Sequence, residues 1–158
     1  MNYKLSRDEE EFKRLIAEIR YLEGAAESIR SRINIINTVL AEFNMANRTL
    51  EGLEKEEVAV PILVPIGGGS YIKAKLADPD KLIYGVGAGV ALEKSFKEAH
   101  KDISNRIAEL NRTRRSLEQQ LNQILLKAQE DQNRLQELSV QLRRGAKGTN
   151  VRKAQRRT

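Results

Sequence analysis

The sequence predicts a mainly α protein: a long antiparallel intramolecular coiled-coil hairpin with two β-hairpins between its helices, assembling with other subunits into an oligomeric β-barrel or β-sandwich hub. Three observations predict it. Residues 5–51 and 95–144 each carry a heptad repeat of apolar residues. Residues 57–93 between them read as strands and turns, with alternating apolar residues, glycines and prolines. Aromatic residues make up only 4% of the chain and charged residues 32%, too little bulk for a thick globular core.

In the first arm, Leu5, Phe12, Ile19, Ala26, Ile33, Leu40 and Asn47 fall at one seam position. Asp8, Leu15, Leu22, Ile29, Ile36, Phe43 and Leu50 fall at the other, and twelve of these fourteen are apolar, enough to define a coiled-coil seam. Ser6 with Glu9 forms a capping-box signature, and acidic residues from Asp8 to Glu11 suit the positive end of the helix dipole, so the helix is expected to begin near Ser6. Gly52 is its expected stop. At the helical rise per residue, an arm of this size is on the order of 70 Å long.

The hub follows. Val58, Val60, Ile62, Val64 and Ile66 recur at every second residue, with Ala59, Pro61, Leu63 and Pro65 in the other phase. Each proline lacks an N–H, so this strand is expected at an edge or paired through one side only. Gly67, Gly68 and Gly69 break the run; a second strand spans Ser70 to Ala77, and Asp78-Pro79-Asp80 is a turn. A third strand, Leu82 to Val86, leads through Gly87 into a short fourth around Gly89 to Leu92. Four short strands with one apolar face are not independently stable. Other subunits are therefore expected to cover Val58, Val60, Ile62, Val64, Ile72, Leu76, Leu82, Tyr84 and Val86, the expected oligomerisation residues.

The second arm opens with another capping box, Ser95 with Glu98. Its seam runs through Phe96, Ala99, Ile103, Ile107, Leu110, Arg114, Leu117, Leu121, Ile124, Ala128, Asp131, Leu135, Leu138 and Leu142, and stops before Arg144-Gly145. Two arms of matched length joined by an insert bury both seams by folding back on each other. A straight parallel dimer would need one helical path through the hub, which its glycines, prolines and alternating strands forbid. Arg114 and Asp131, isolated polar seam positions, are read as register-fixing.

No catalytic or cofactor chemistry is predicted. Gly85-Val86-Gly87-Ala88-Gly89 resembles a nucleotide fingerprint, but the third required glycine is replaced by Val90, and both glycine clusters read as hairpin turns. The one histidine, His100, has no partner at metal-ligand spacing and reads as a solvated surface residue, and pairs such as Glu23 with Glu27 read as solvated helix faces. There is no cysteine. The first residues contain no apolar core of a signal peptide and no apolar run reaches membrane length, so a cytoplasmic location is expected.

The Val60-Pro61-Ile62-Leu63-Val64-Pro65 strand, the Ser70-Tyr71-Ile72 strand start, Lys81-Leu82-Ile83-Tyr84-Gly85-Val86-Gly87, and Val90-Ala91-Leu92-Glu93-Lys94-Ser95 entering the second helix resemble the prefoldins, specifically the α-type subunit of archaea. The resemblance covers residues 5 to 143. It implies a hexamer of two α-type and four β-type subunits with joined β-barrels at the centre. It also implies a chaperone that holds unfolded proteins without ATP and passes them to a group II chaperonin. Two hairpins rather than one mark the α-type in that family.

Under that reading the clients are held at the free ends of the arms, where Leu5, Phe12, Leu15 and Ile16 lie opposite Leu135, Leu138, Val140 and Leu142. Tyr21 and Leu126 are apolar residues off the seam. Residues 143–158 carry seven basic side chains and no acid; the whole chain is +6, so the rest is about −1. Residues 145–158 are expected to be a disordered basic tail, with an acidic partner preferred over nucleic acid as its ligand. The competing function is a structural coiled-coil adaptor whose tail binds nucleic acid.

Overall fold

In the computed structural model of the chain, residues 2–78 and 80–155 are described, with side chains placed for 7–78 and 80–143. Two long helices, α1 (Asn2–Leu53) and α2 (Phe96–Gln155), flank four strands: β1 (Pro61–Gly67), β2 (Ser70–Lys75), β3 (Lys81–Gly87) and β4 (Val90–Ser95). The chain divides into two compact units. One is Met1–Asn34 with Arg115–Thr158; the other is Ile35–Arg114.

In the first unit, the heptad positions of both helices turn inward. Leu15, Ile19, Ala26, Leu117, Ala128 and Leu138 are buried, and every other described seam residue there is at least half-buried. Glu11 pairs with Arg134 at 2.8 Å and Glu18 with Lys127 at 3.6 Å. Seven residues forward on α1 is seven back on α2. That is one heptad of antiparallel pairing.

In the second unit the same relation spans two heptads. Arg114 Nη1 donates to Asn37 Oδ1 at 3.3 Å, and His100 Nε2 lies 3.5 Å from Glu51 Oε1. Leu40, Phe96, Ala99 and Ile103 are buried between the helices. Arg114 thus reaches the opposite helix directly. Asp131, in the first unit, is only 3% exposed and reaches it through a relay: Lys127 Nζ lies 2.5 Å from Asp131 Oδ1 and also faces Glu18.

The helix ends differ from expectation. α1 begins at Asn2 rather than near Ser6, which leaves Ser6 and Glu9 inside the helix. A capping box contributes only about 1 kcal/mol, and Asn2 to Leu5 contain no breaker to enforce it. At the other end α1 runs one residue past Gly52, and the chain leaves through a turn in which Glu54 N donates to Leu50 O at 2.9 Å and Glu56 N to Leu53 O at 3.1 Å. α2 continues to Gln155 instead of stopping at Gly145. A helical glycine costs about 1 kcal/mol relative to alanine, and no proline follows to terminate the run. The capping box at the start of α2 forms as predicted: Glu98 N donates to Ser95 Oγ at 3.3 Å, and Ser95 N donates back to Glu98 Oε2 at 3.1 Å.

The strands form two separate two-stranded sheets, β1 with β2 and β3 with β4, both antiparallel. Among the described residues no larger sheet forms. The two hairpins repeat each other at a spacing of twenty residues: Pro61 pairs with Lys75 and Lys81 with Ser95, and each register shifts at the same place, between Pro65 and Gly67 and between Gly85 and Gly87. Gly67 (φ 98°) and Gly87 (φ 107°) take the left-handed backbone that these bulged turns require.

Three strand limits need correction, the first being that β2 ends at Lys75 and not at Ala77. β1 starts three residues after Val58, because Ala59 sits at φ 68° and breaks the alternation. Val58 is therefore exposed outside the ladder, while Leu76 N still donates to Val60 O at 3.0 Å just before it. β4 extends beyond Leu92 to Ser95, so α2 follows it without a linker.

Candidate functional site

Side chains alternate across each hairpin, and the register assigns them to faces. On the first hairpin, Ile62, Val64, Ile72 and Ala74 share one face; Leu63, Tyr71, Lys73 and Lys75 share the other. On the second, Leu82, Tyr84, Leu92 and Lys94 share one face, and Ile83, Ala91 and Glu93 the other. The first-named face is partly covered: Ile62, Val64, Leu82 and Tyr84 are half-buried, whereas Ile72 and Leu92 are exposed. The second is open, with Leu63 at 64% and Ile83 at 71% exposure.

Of the nine expected oligomerisation residues, the structure gathers Val60, Ile62, Val64, Ile72, Leu76, Leu82, Tyr84 and Val86 on or beside the hairpins and leaves Val58 outside them. Leu63, Ile66, Tyr71, Ile83, Val90 and Leu92, which that expectation does not include, are also exposed. Leu63 and Ile83 are apolar in the phase opposite the assigned face, so both phases of β1 and β3 carry apolar residues.

Charges tie the second hairpin down. Lys81 Nζ lies 2.8 Å from Glu93 Oε1 across the strands, and this carboxylate holds the lysine above its usual pKa. Lys94 sits 4.8 Å from the centre of the Tyr84 ring and donates to Asp102 of α2; that hydrogen bond raises its pKa too. β4 is thereby fastened to the first turns of α2. The Ser95 hydroxyl and backbone N–H hold Glu98 below the usual carboxylate value. Between β3 and the last turns of α1 runs an open, largely apolar groove of about 540 Å³, with Phe43, Met45 and Leu50 facing Leu82, Ile83 and Gly85.

The expected client residues are placed unevenly. Leu15 is buried and Leu138 fully so, while Phe12, Ile16, Leu135 and Leu142 are half-buried and Val140 is 42% exposed. The Leu5 side chain lies outside the described residues. Above this apolar seam Arg134 donates to Glu11 at 2.8 Å and lies 3.4 Å from Glu137, and the hydrogen bond from Arg134 lowers the Glu11 pKa. Tyr21 and Leu126 point outward, as their heptad positions require.

His100 is half-exposed but not alone: Glu51, which faces it, also accepts from Asn47 Nδ2 at 2.9 Å. Among the described residues no group of three or more histidine, aspartate or glutamate side chains is arranged to hold a metal, and no helix is long and apolar enough to cross a membrane.

Comparison with known proteins agrees with this arrangement. The family model described as prefoldin subunit matches residues 22–141. The prefoldin subunit alpha of Methanopyrus kandleri is 37% identical over 113 residues, covering 72% of this chain and 72% of its own. That of Pyrococcus horikoshii is 31% identical over 138 residues, covering 82% and 93%. Among solved structures, a chain of filamentous PFD from Methanocaldococcus jannaschii superposes with a TM-score of 0.64 at 25% identity, over 72% of this chain and 94% of that one.

Proposed function

Because this chain belongs to the prefoldin family of chaperone subunits, we propose that it holds unfolded proteins without consuming ATP, gripping them at the free ends of its arms. It does so as one α-type member of a hexamer with four β-type subunits, in the cytoplasm, and hands its clients to a group II chaperonin. The observation that carries this reading is the pair of hairpins. Both leave apolar side chains open on their faces, a surface that other subunits would cover.

The client assignment rests on the seam at the arm ends. Phe12, Ile16, Leu135 and Leu142 are half-buried and Val140 is exposed, so parting of the helix ends would add Leu15 and Leu138 to a continuous apolar strip. Several such ends acting on one unfolded chain retain it through contacts that are individually weak, because each bound end raises the effective concentration at the next. The nucleic-acid adaptor rests on the basic residues of 143–158 alone, and the family match does not favour it.

Removing residues 1–16 together with 135–158 shortens both arms in step and tests this directly. The shortened chain is expected to assemble with β-type subunits yet lose most of its suppression of aggregation of a denatured protein, with ATP making no difference before or after. Full suppression by the shortened assembly would place the client elsewhere, in the hub.

A further inference from the structure

Among the described residues Asp131 is the only buried polar or charged residue, 3% exposed at a seam position of α2. Its neighbours along the seam, Ala128 and Leu135, are apolar. Its carboxylate is only half satisfied. Oδ1 lies 2.5 Å from Lys127 Nζ, whereas Oδ2, equally shut from solvent, has no hydrogen-bond partner among the described residues. Lys127 is itself half-exposed and leans toward Glu18, 3.6 Å away. A carboxylate held out of water with one oxygen unsatisfied gives back most of what its ion pair gains, and an apolar side chain of similar size would pack in its place without that loss. The layer at Asp131 is therefore weaker than those on either side.

Its place along the arm gives this weakness a use. The Glu18–Lys127 and Glu11–Arg134 pairs lie on either side of it, and the register they set brings Asp131 opposite residue 14, beside Leu15. Six of the eight expected client residues, from Phe12 back along α1 and from Leu135 on along α2, lie on the free-end side of this layer. Parting that starts at the free ends gains the solvation of Oδ2 once it reaches Asp131. To go further it must separate Ile19, Ala26, Ala128 and Leu117, buried apolar side chains that water does not reward. The Glu11–Arg134 pair does little to hold the outer segment shut, because both of its side chains are partly exposed.

We infer that Asp131 sets the length of arm that parts to take a client: the segment from Asp131 to the free ends opens as one piece, while the seam from Ala128 inward stays shut. The inference rests on the reading of the arm ends as the client site and gives that site a size. Residues 131–142 of α2 span about 18 Å at the helical rise, the length of about five residues of extended chain. The ligand is accordingly a short apolar segment of an unfolded protein. Asp131 positions this site and is not part of its apolar surface.

A parted helix of about twelve residues is marginal in water, so its amides exchange when the arm opens. In the full-length chain assembled with β-type subunits, amides of residues 132–142 are expected to share one level of protection, with a step up at Ala128. Asp131→Leu is expected to slow their exchange about ten-fold and to lower suppression of the aggregation of reduced insulin B chain several-fold. Lys127→Gln, which leaves the carboxylate without its partner, is expected to speed the same amides while suppression is kept. A gradual rise in protection with no step at Asp131, or outer amides that neither substitution changes, would overturn the boundary. Slower outer amides with undiminished suppression in Asp131→Leu would overturn its part in taking clients and leave it a residue of the seam alone. Failure of the client-site reading itself shows separately, as full suppression by the chain lacking residues 1–16 and 135–158.

Discussion

Apolar residues in the arm unit and in the hub follow the same kind of alternating code and end in opposite places. Leu15, Ile19, Leu117 and Leu138 are buried by the partner helix of their own chain, whereas Leu63, Tyr71, Ile83 and Leu92 remain exposed. The physical reason is the number of partners each element finds. A helix with one apolar stripe is satisfied by a single second helix. A two-stranded hairpin with apolar residues on both faces needs cover on two sides, and one chain provides only part of one. The difference is that the arm's apolar residues are covered within the chain, whereas the hub's are left open.

The largest expected effect breaks this comparison on the hub side. Ile62→Asp with Leu82→Asp is expected to reduce the assembled protein to monomers by light scattering while helical content by circular dichroism stays near the parent value. On the arm side the pattern reverses. Leu138→Ala, at a fully buried position, is expected to cost about 3 kcal/mol in thermal or urea unfolding and to leave the assembled mass unchanged. Leu126→Gln, on the outward face of the same helix, sharpens the point, with a change of at most about 0.5 kcal/mol.

How much of this was legible in the sequence follows the same division. The seam was readable residue by residue, because a heptad repeat repeats the same information down each arm, and even its polar members, Arg114 and Asp131, lie inward. Single-residue events were not. Nothing in the run from Val58 to Val60 announces that Ala59 adopts φ 68°, so the first strand was begun too early. Gly145 looked like a helix stop, but a penalty of about 1 kcal/mol is too small to end a helix by itself. The apolar members of the second hub face are not legible as a set, because they alternate with prolines on β1 and stand opposite Lys73 and Glu93 across the ladder, as a solvated face would.

The smallest expected effect is that of pH, and it separates carboxylates from lysines. Glu11 and Glu98 are held below their ordinary value of 4.5, so their contribution is present above that pH and is lost as pH falls through the lowered pKa. Lys81, Lys94 and Lys127 are held above 10.5, so theirs is present below that pH and is lost as pH rises through the raised pKa. Melting temperature is expected to be level between these limits so far as these groups determine it. Glu98, Lys81 and Lys127 are exposed and Glu11 and Lys94 only half-buried, so each contribution is slight.

Hydrogen exchange measured against protein concentration tests most directly whether the arms close on themselves while the hub waits for other chains. As the full-length chain is raised from nanomolar to micromolar concentration, amides of β1 to β4 are expected to gain protection, and those around Leu15, Ile19, Leu117 and Leu138 to keep the same protection throughout. Hub amides already fully protected at the lowest concentration, or arm amides that become protected only on association, would contradict it.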